Sequence, residues 1–332
     1  MTMKPLLLYT MTSGLGDYLI MGDLMRKVEK TVHGSRCLMA HRANPHIRLW
    51  PFGSTNSSFF NVYNCKELLA LINSLKKART NGYTTFGLQM APGSVQGFFF
   101  HLFLKRLKAL DFIVDFNLIN ADILTPPEGR YILDMHLNQA GKLLHTKFPE
   151  RLYKLELPVN FKKKPTDSTS GLKDKSTVGI HPWSRRGDLP CFVWSDENWM
   201  ALIKTLIQRD SKHVIILGKD KKFDEFRHLL SEQMGNTENI SFIPSRSVPH
   251  LIETISGIDH LISVNTSVIH IGYSLEKPMT ILSGPSLDLW IPEAENIEVI
   301  RDKAALFPGS DKMIDDRRFP CISRIPLKEI IK

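Results

Sequence analysis

Apolar residues gather in short continuous runs at positions 5–9, 36–40, 84–89 and 111–116. Between those runs they recur at helical spacing over 18–29, 66–78 and 95–110, with a further helical stripe at 133–148. A Pro- and Ser-containing loop covers 45–58. Strands alternating with helices of this length predict a parallel sheet wrapped by helices. The rhythm breaks at Lys162-Lys163-Lys164-Pro165 and the Ser/Thr-rich residues up to Gly171, which are polar and poor in apolar positions. It then restarts, with strands at 176–182, 213–218, 240–245, 261–264 and 279–282 and helices at 196–209, 224–234, 248–258 and 268–275. The expected organisation is an N-terminal Rossmann-like domain over 1–162, a linker over 163–175 and a C-terminal Rossmann-like domain over 176–332. Both are doubly wound α/β units facing across a cleft, with ligands at the carboxyl ends of the strands. The extreme C-terminus is expected to pack back on the N-terminal domain, and no internal repeat is visible.

Two strand-turn-helix units stand close together in the second half. The first runs from the strand 261–264 through Asn265-Thr266-Ser267 into the helix 268–275, with Thr266 or Ser267 as N-cap. The second runs from the strand 279–282 through Ser283-Gly284-Pro285-Ser286 toward Trp290, with a small residue where a backbone must come close to something. Two helix N-termini side by side present unpaired N–H groups and aligned dipoles, each contributing about 0.3–1 kcal/mol toward a bound anion, so together they favour a diphosphate. An ordinary strand-turn-helix edge without a ligand would carry the same residue types.

Composition narrows the partner. At 332 residues with 42% hydrophobic and 23% charged, the chain has the makeup of a soluble globular protein with a full core, in about two domains of ~150 residues. Its formal charge of +9 points to an anionic partner, and nucleic acid, phosphorylated glycans and anionic membrane all qualify. Cys37, Cys65, Cys191 and Cys321 form neither a zinc motif nor a disulfide framework, so a reduced, cytoplasmic setting is expected. The apolar run of the opening MTMKPLLLYT is too short for a signal segment and reads as a first strand.

Several constellations could carry chemistry. Ser13-Gly14-Leu15-Gly16-Asp17 follows the first strand, but Leu19 stands where a dinucleotide fingerprint needs its third glycine. What remains is a glycine turn, Gly14 and Gly16, ending in a carboxylate. Asp17 is either a helix N-cap or a base placed to take a proton from an attacking hydroxyl. After the strand 176–182 come Ser184-Arg185-Arg186, where two adjacent guanidiniums could grip phosphate oxygens in bidentate fashion. His181 and His270 lie beside turns, where histidines are more often packed than catalytic. No Asp-x-Asp pair sits at a strand end, so no metal site is expected. The stretch FFFHLFLKRLKAL, 98–110, is either an amphipathic basic helix suited to anionic membrane or a core helix with a charged outer side.

Read together, SGLGDYLIMGDLMRKV, GIHPWSRR, VWSDENWMALIKTLI, VIILGKDKKFDEF and the long stretch from SFIPSR to LSGPS resemble the bacterial heptosyltransferase-type enzymes, glycosyltransferase family nine, in order over nearly the whole chain. The closing CISRIPLKEII resembles that family's ending. The resemblance implies the two-domain GT-B fold. It also implies inverting, metal-independent transfer of a sugar, commonly heptose from ADP-heptose, to a hydroxyl of lipopolysaccharide core, with no obligatory cofactor. Asp17 matches the family's Gly-Asp carboxylate, taken as the base. Ser184, Arg185, Arg186, Asn265, Thr266, Ser267, His270, Gly284, Pro285 and Ser286 fall on the donor side, and Asp220, Asp224 and Glu225 become candidates for the ribose. The chain departs from the pattern at Asn265-Thr266-Ser267-Val268, where the family has an acid followed by Thr, Gly and Pro. It departs again at Phe192, where a phosphate-facing lysine is usual. The partners implied are a nucleotide sugar and an anionic glycan or lipid-linked acceptor at the inner membrane face, with no nucleic acid. A nucleotide-sugar epimerase of similar plan and a non-catalytic nucleotide-sugar binder are the alternatives.

Overall fold

The computed structural model describes residues 4–11, 14–41, 58–89, 95–115, 121–125, 128–157, 176–184, 189–235, 237–286, 288–306 and 318–331. The chain divides into two compact units, Met1–Pro158 and Val159–Lys332. The expected linker 163–175 and most of the loop 45–58 lie outside the described residues.

Unit 1 runs β1 (Lys4–Met11), α1 (Leu15–Thr31), β2 (Arg36–His41), β3 (Ser58–Asn61), α2 (Cys65–Thr80), β4 (Tyr83–Gln89), α3 (Val95–Arg106), β5 (Phe112–Asp115), β6 (Ile123–Leu124) and α4 (Ile132–Leu144). The six strands are parallel in the order β3-β2-β1-β4-β5-β6. Leu6, Leu7, Leu8 and Tyr9 make β1 apolar on both faces, as a central strand covered by helices must be. Leu6 and Leu8 pack with Leu71 and Leu75 of α2 and Leu104 of α3. On the other face the Tyr9 ring meets His136 of α4 edge-on at 6.0 Å, and α1 packs along α4.

Two helices end earlier than their apolar stripes suggest. α3 stops at Arg106 because Lys108 takes a left-handed φ of 55°. α4 stops at Leu144, where His145 turns left-handed at φ 49° and Thr146 N–H bonds Gly141 O. Pro149 then biases Phe148 away from helix. Within α1, buried Asp23 and Lys27 pair at 2.5 Å, and the Lys27 ammonium also donates to Lys154 O at 2.5 Å, tying residues 154–156 to the helix.

Unit 2 runs β7 (Thr177–His181), α5 (Asp196–Gln208), β8 (His213–Gly218), α6 (Asp220–Met234), β9 (Ile240–Pro244), α7 (Val248–Ser256), β10 (His260–Val264), α8 (Ser267–Ser274), β11 (Met279–Leu282) and β12 (Ile297–Ile300). Its parallel order, β12-β11-β10-β7-β8-β9, repeats that of unit 1 strand for strand. One expectation is corrected here. Among the described residues no α-helix follows Ser286: a single 3-10 turn, Asp288–Trp290, forms before Pro292, a residue that disfavours helix in the position ahead of it. The extreme C-terminus contributes to the core of unit 2. Ile322 and Ile325 bury beside Trp194 and Trp199, and the Trp194 indole N–H donates to Ile325 O at 2.8 Å.

Candidate functional site

In an open parallel sheet a ligand crevice forms beyond the carboxyl ends of the strands where their order reverses. That reversal falls between β1 and β4 in unit 1 and between β7 and β10 in unit 2.

Beyond β1 the chain enters α1 through Gly14, the N-cap. Asp17, third in the helix, turns its Oδ2 back to accept the Gly14 N–H at 3.1 Å, so it is the distal member of a capping box rather than the N-cap itself. A Cβ on Gly14 would stand 3.1 Å from that oxygen. Gly16 is buried in the same turn, and Asp17 is half-buried. The glycine turn therefore sets a carboxylate at the reversal point of the first sheet.

In unit 2 the ends of β10, β11 and β12 are in register, Val264 beside Leu282 and Leu282 beside Ile300, so the turns after them are neighbours. Asn265 N–H donates to Leu282 O at 3.1 Å, and Ser283 N–H donates to Ile300 O at 3.0 Å. Thr266 caps α8, accepting the Val268 N–H at 3.4 Å, and its hydroxyl lies 3.4 Å from His181 Nδ1 at the end of β7. The Ser263 hydroxyl donates to the His181 carbonyl at 3.3 Å. Ser267 opens α8, whose first turn carries no acidic residue. The positive end of this helix is left without an acidic side chain of its own to offset it.

The second turn serves two purposes. A Cβ on Gly284 would stand 2.1 Å from Cys191 O, so the close approach that demands glycine is to the chain's own Pro190–Phe192 turn. Gly284 and Pro285 are buried, and only Ser286 is half-open. Arg301, the first residue after β12, donates to Ser286 O at 3.3 Å and pairs with Asp288. Burial lowers its pKa, against the raising effect of Asp288. Nothing in the sequence reading singled out this guanidinium. The sequence carries no comparable signal for it, since Ile297–Ile300 includes Glu298 and forms no continuous apolar run.

The remaining candidates separate. Ser184 is half-buried at the end of β7, whereas Arg185 and Arg186 lie outside the described residues. His270 is buried in α8, and burial pushes its pKa down to about 4, so it supplies no positive charge near neutral pH. His181 is likewise held down to about 4 by burial. Asp220 opens α6, and nothing is described of its side chain. Asp224 and Glu225 are exposed, and Glu225 pairs with Lys221 at 2.9 Å in solvent. Beside them on α6, Phe223 and Phe226 are buried and packed edge-on against Trp183 at 6.0 and 5.6 Å. Gly218 makes room for this aromatic wall, since a Cβ there would meet the Trp183 ring at 2.5 Å. Among the described residues no three His, Cys, Asp or Glu side chains group as metal ligands, and no helix is long and apolar enough to cross a membrane.

The family model of glycosyltransferase family 9 (heptosyltransferase) matches residues 134–305, more than half of the chain. The chain belongs to glycosyltransferase family 9. Solved structures share its architecture. A family 9 glycosyltransferase from Veillonella parvula DSM 2008 superposes with a TM-score of 0.67 at 13% identity, covering 99% of this chain and 96% of that one. E. coli heptosyltransferase WaaC, solved with ADP, gives 0.64 at 14% identity over 98% of both chains. E. coli ADP-heptose LPS heptosyltransferase II gives 0.65 at 17%, over 98% of this chain and 97% of that one. At these identities the likeness is one of fold, the GT-B fold. No curated protein matches the chain. One departure from the family pattern has a structural basis: Phe192 is buried with Cys191 and Cys321, so the place of the usual lysine belongs here to packing between the Pro190–Phe192 turn and the C-terminal segment.

Proposed function

We propose that this family 9 glycosyltransferase moves a sugar, with inversion and without an obligatory metal, from a nucleoside-diphosphate sugar to a hydroxyl of lipopolysaccharide core or a related anionic, lipid-linked glycan. ADP-heptose is the donor proposed. Residues of the first domain serve the acceptor, and those of the second hold the donor. One observation carries the reading. The same strand order puts a carboxylate, Asp17, at the reversal point of one sheet, and an acid-free helix start beside hydroxyls and Arg301 at the carboxyl edge of the other.

The chemistry follows from those groups. The acceptor oxygen attacks the anomeric carbon as the bond to the diphosphate breaks, and the acceptor proton passes to Asp17. A positioned base of this kind is worth roughly 10²–10⁴-fold. The charge gathering on the leaving diphosphate meets the N–H groups and positive dipole end of α8, with the Ser267 and Ser286 hydroxyls as donors. Arg301, freed from Asp288, supplies a cation, as do Arg185 and Arg186. Asn265 can donate as well as accept, so it contacts a phosphate or sugar oxygen that an aspartate would repel.

A panel of ADP- and UDP-sugars tests this reading, with product analysis in the presence and absence of a lipopolysaccharide-core acceptor. The reading expects ADP-heptose to be consumed only with acceptor, giving a product of inverted anomeric configuration. Donor turnover without acceptor would mark an epimerase, and binding without turnover a non-catalytic carrier.

A further inference from the structure

The outer surface of the α2–α3 layer is neither core nor an ordinary charged face. Phe100 and Leu104 of α3 turn inward to the core shared with α2, while Phe99 and Phe103, one turn apart, stand 61% and 45% exposed. Tyr63, just ahead of α2, and Leu69 on it are 65% and 59% exposed. These four are half of the exposed large hydrophobic side chains among the described residues, gathered on the helices covering one face of one sheet. Single exposed apolar residues need no explanation, but a cluster on one layer does.

Charge accompanies the aromatics. Lys66, Lys76 and Lys77 of α2, Arg106 of α3 and Lys108 just after it are all exposed, and none forms an ion pair among the described residues. Glu67, the sole acid within α2 and α3, accepts the Asn61 N–H at 2.7 Å. Asp111 and Asp122 nearby are taken up by Arg79 and Lys105. Bulky apolar side chains standing out among uncompensated cations match an interface of acyl chains beneath anionic headgroups, where the rings insert and the cations meet phosphate.

We propose that the α2–α3 face is a docking surface for an anionic phospholipid bilayer. The proposal rests on the transferase reading only for its purpose, bringing the enzyme to a lipid-linked acceptor. Its test needs neither donor nor acceptor, so either idea can fail alone. The full chain is floated with vesicles of phosphatidylcholine alone and of phosphatidylcholine mixed equally with phosphatidylglycerol, at low and high NaCl. Binding to the mixed vesicles alone, released by salt, is expected. Phe99→Ser with Phe103→Ser should weaken it at least ~10-fold, and Arg106→Gln with Lys108→Gln about fivefold per cation. Circular dichroism and thermal unfolding of the variants should match the parent, since these side chains touch little of the core. Equal binding to neutral vesicles, or undiminished binding by both variants, would overturn the proposal. So would a sedimentation-detected dimer that Phe99→Ser with Phe103→Ser dissociates, because the face would then serve a second copy of the chain.

Discussion

Beyond β1 the chain enters α1 with an acid in the first turn, and that acid folds back onto the Gly14 amide. Beyond β10 it enters α8 with Thr266 as cap and no acid in the first turn. Both helices follow a strand at the reversal point of the same six-strand order, so topology does not distinguish them and local side chains do. In unit 1 the positive helix end is already met by Asp17, which leaves a carboxylate suited to a hydroxyl and poorly suited to a phosphate. In unit 2 the helix has no acid in its first turn, and the nearby Arg301 guanidinium is held by Asp288 and Ser286 O, so among the described residues the helix end is left open to an anion. One scaffold, used twice, yields opposite sites through a few residues at the strand ends.

The comparison can be broken first through what stabilises each unit. Asp23→Ala should destabilise unit 1 by about 3–5 kcal/mol in denaturant unfolding, because Lys27 would stay buried without its partner. Asp23→Leu with Lys27→Met should recover most of that loss. Unit 2 is sensitive to volume instead. Gly284→Ala forces a Cβ against Cys191 O and should cost roughly 1–3 kcal/mol, loosening the C-terminal segment enough to expose Trp194 to fluorescence quenchers. Arg301→Gln should weaken ADP binding about 10-fold or more by calorimetry, as removal of a charged donor does.

The effect that is smallest near neutral pH, and grows only on acidification, is acid sensitivity, and it occurs in both units. Burial pushes His101 of unit 1 down to about 3 and His270 of unit 2 down to about 4. With folded values below the ordinary 6.5, the unfolded chain binds protons first as pH falls. Stability is then complete above about pH 6.5 and declines toward the folded values by ~1.4 kcal/mol per pH unit for each histidine. Urea unfolding in a pH series should show the slope shrink by one histidine's share in His101→Gln and again in His270→Gln.

Legibility in the sequence followed length and repetition of signal. The central strands, such as Lys4–Met11 and His260–Val264, are apolar enough to read directly, and the parallel architecture follows from their alternation with helices. Edge strands of two to four residues, Ser58–Asn61, Ile123–Leu124 and Ile297–Ile300, left no comparable trace. The shared strand order was invisible because it lies in pairing, not in repeated residues. At the site, Gly14 and Asp17 stand out because a glycine turn ending in an acid is compact. Arg301 does not, since its proximity to Ser286 depends on the neighbouring of β11 and β12. The helix expected after Ser286 rests on the small-polar turn following a strand, a signal that says nothing of how far a helix can run, and Pro292 leaves room only for the 3-10 turn Asp288–Trp290.

The division of labour between the two sheets is tested most directly by one variant measured two ways. In Asp17→Ala, sugar transfer to acceptor and calorimetric affinity for the nucleotide donor are compared with the parent. The account predicts transfer reduced roughly 10²–10⁴-fold with donor affinity unchanged. Transfer at the parental rate, or donor affinity lost in step with it, would contradict the assignment of acceptor activation to one unit and donor binding to the other.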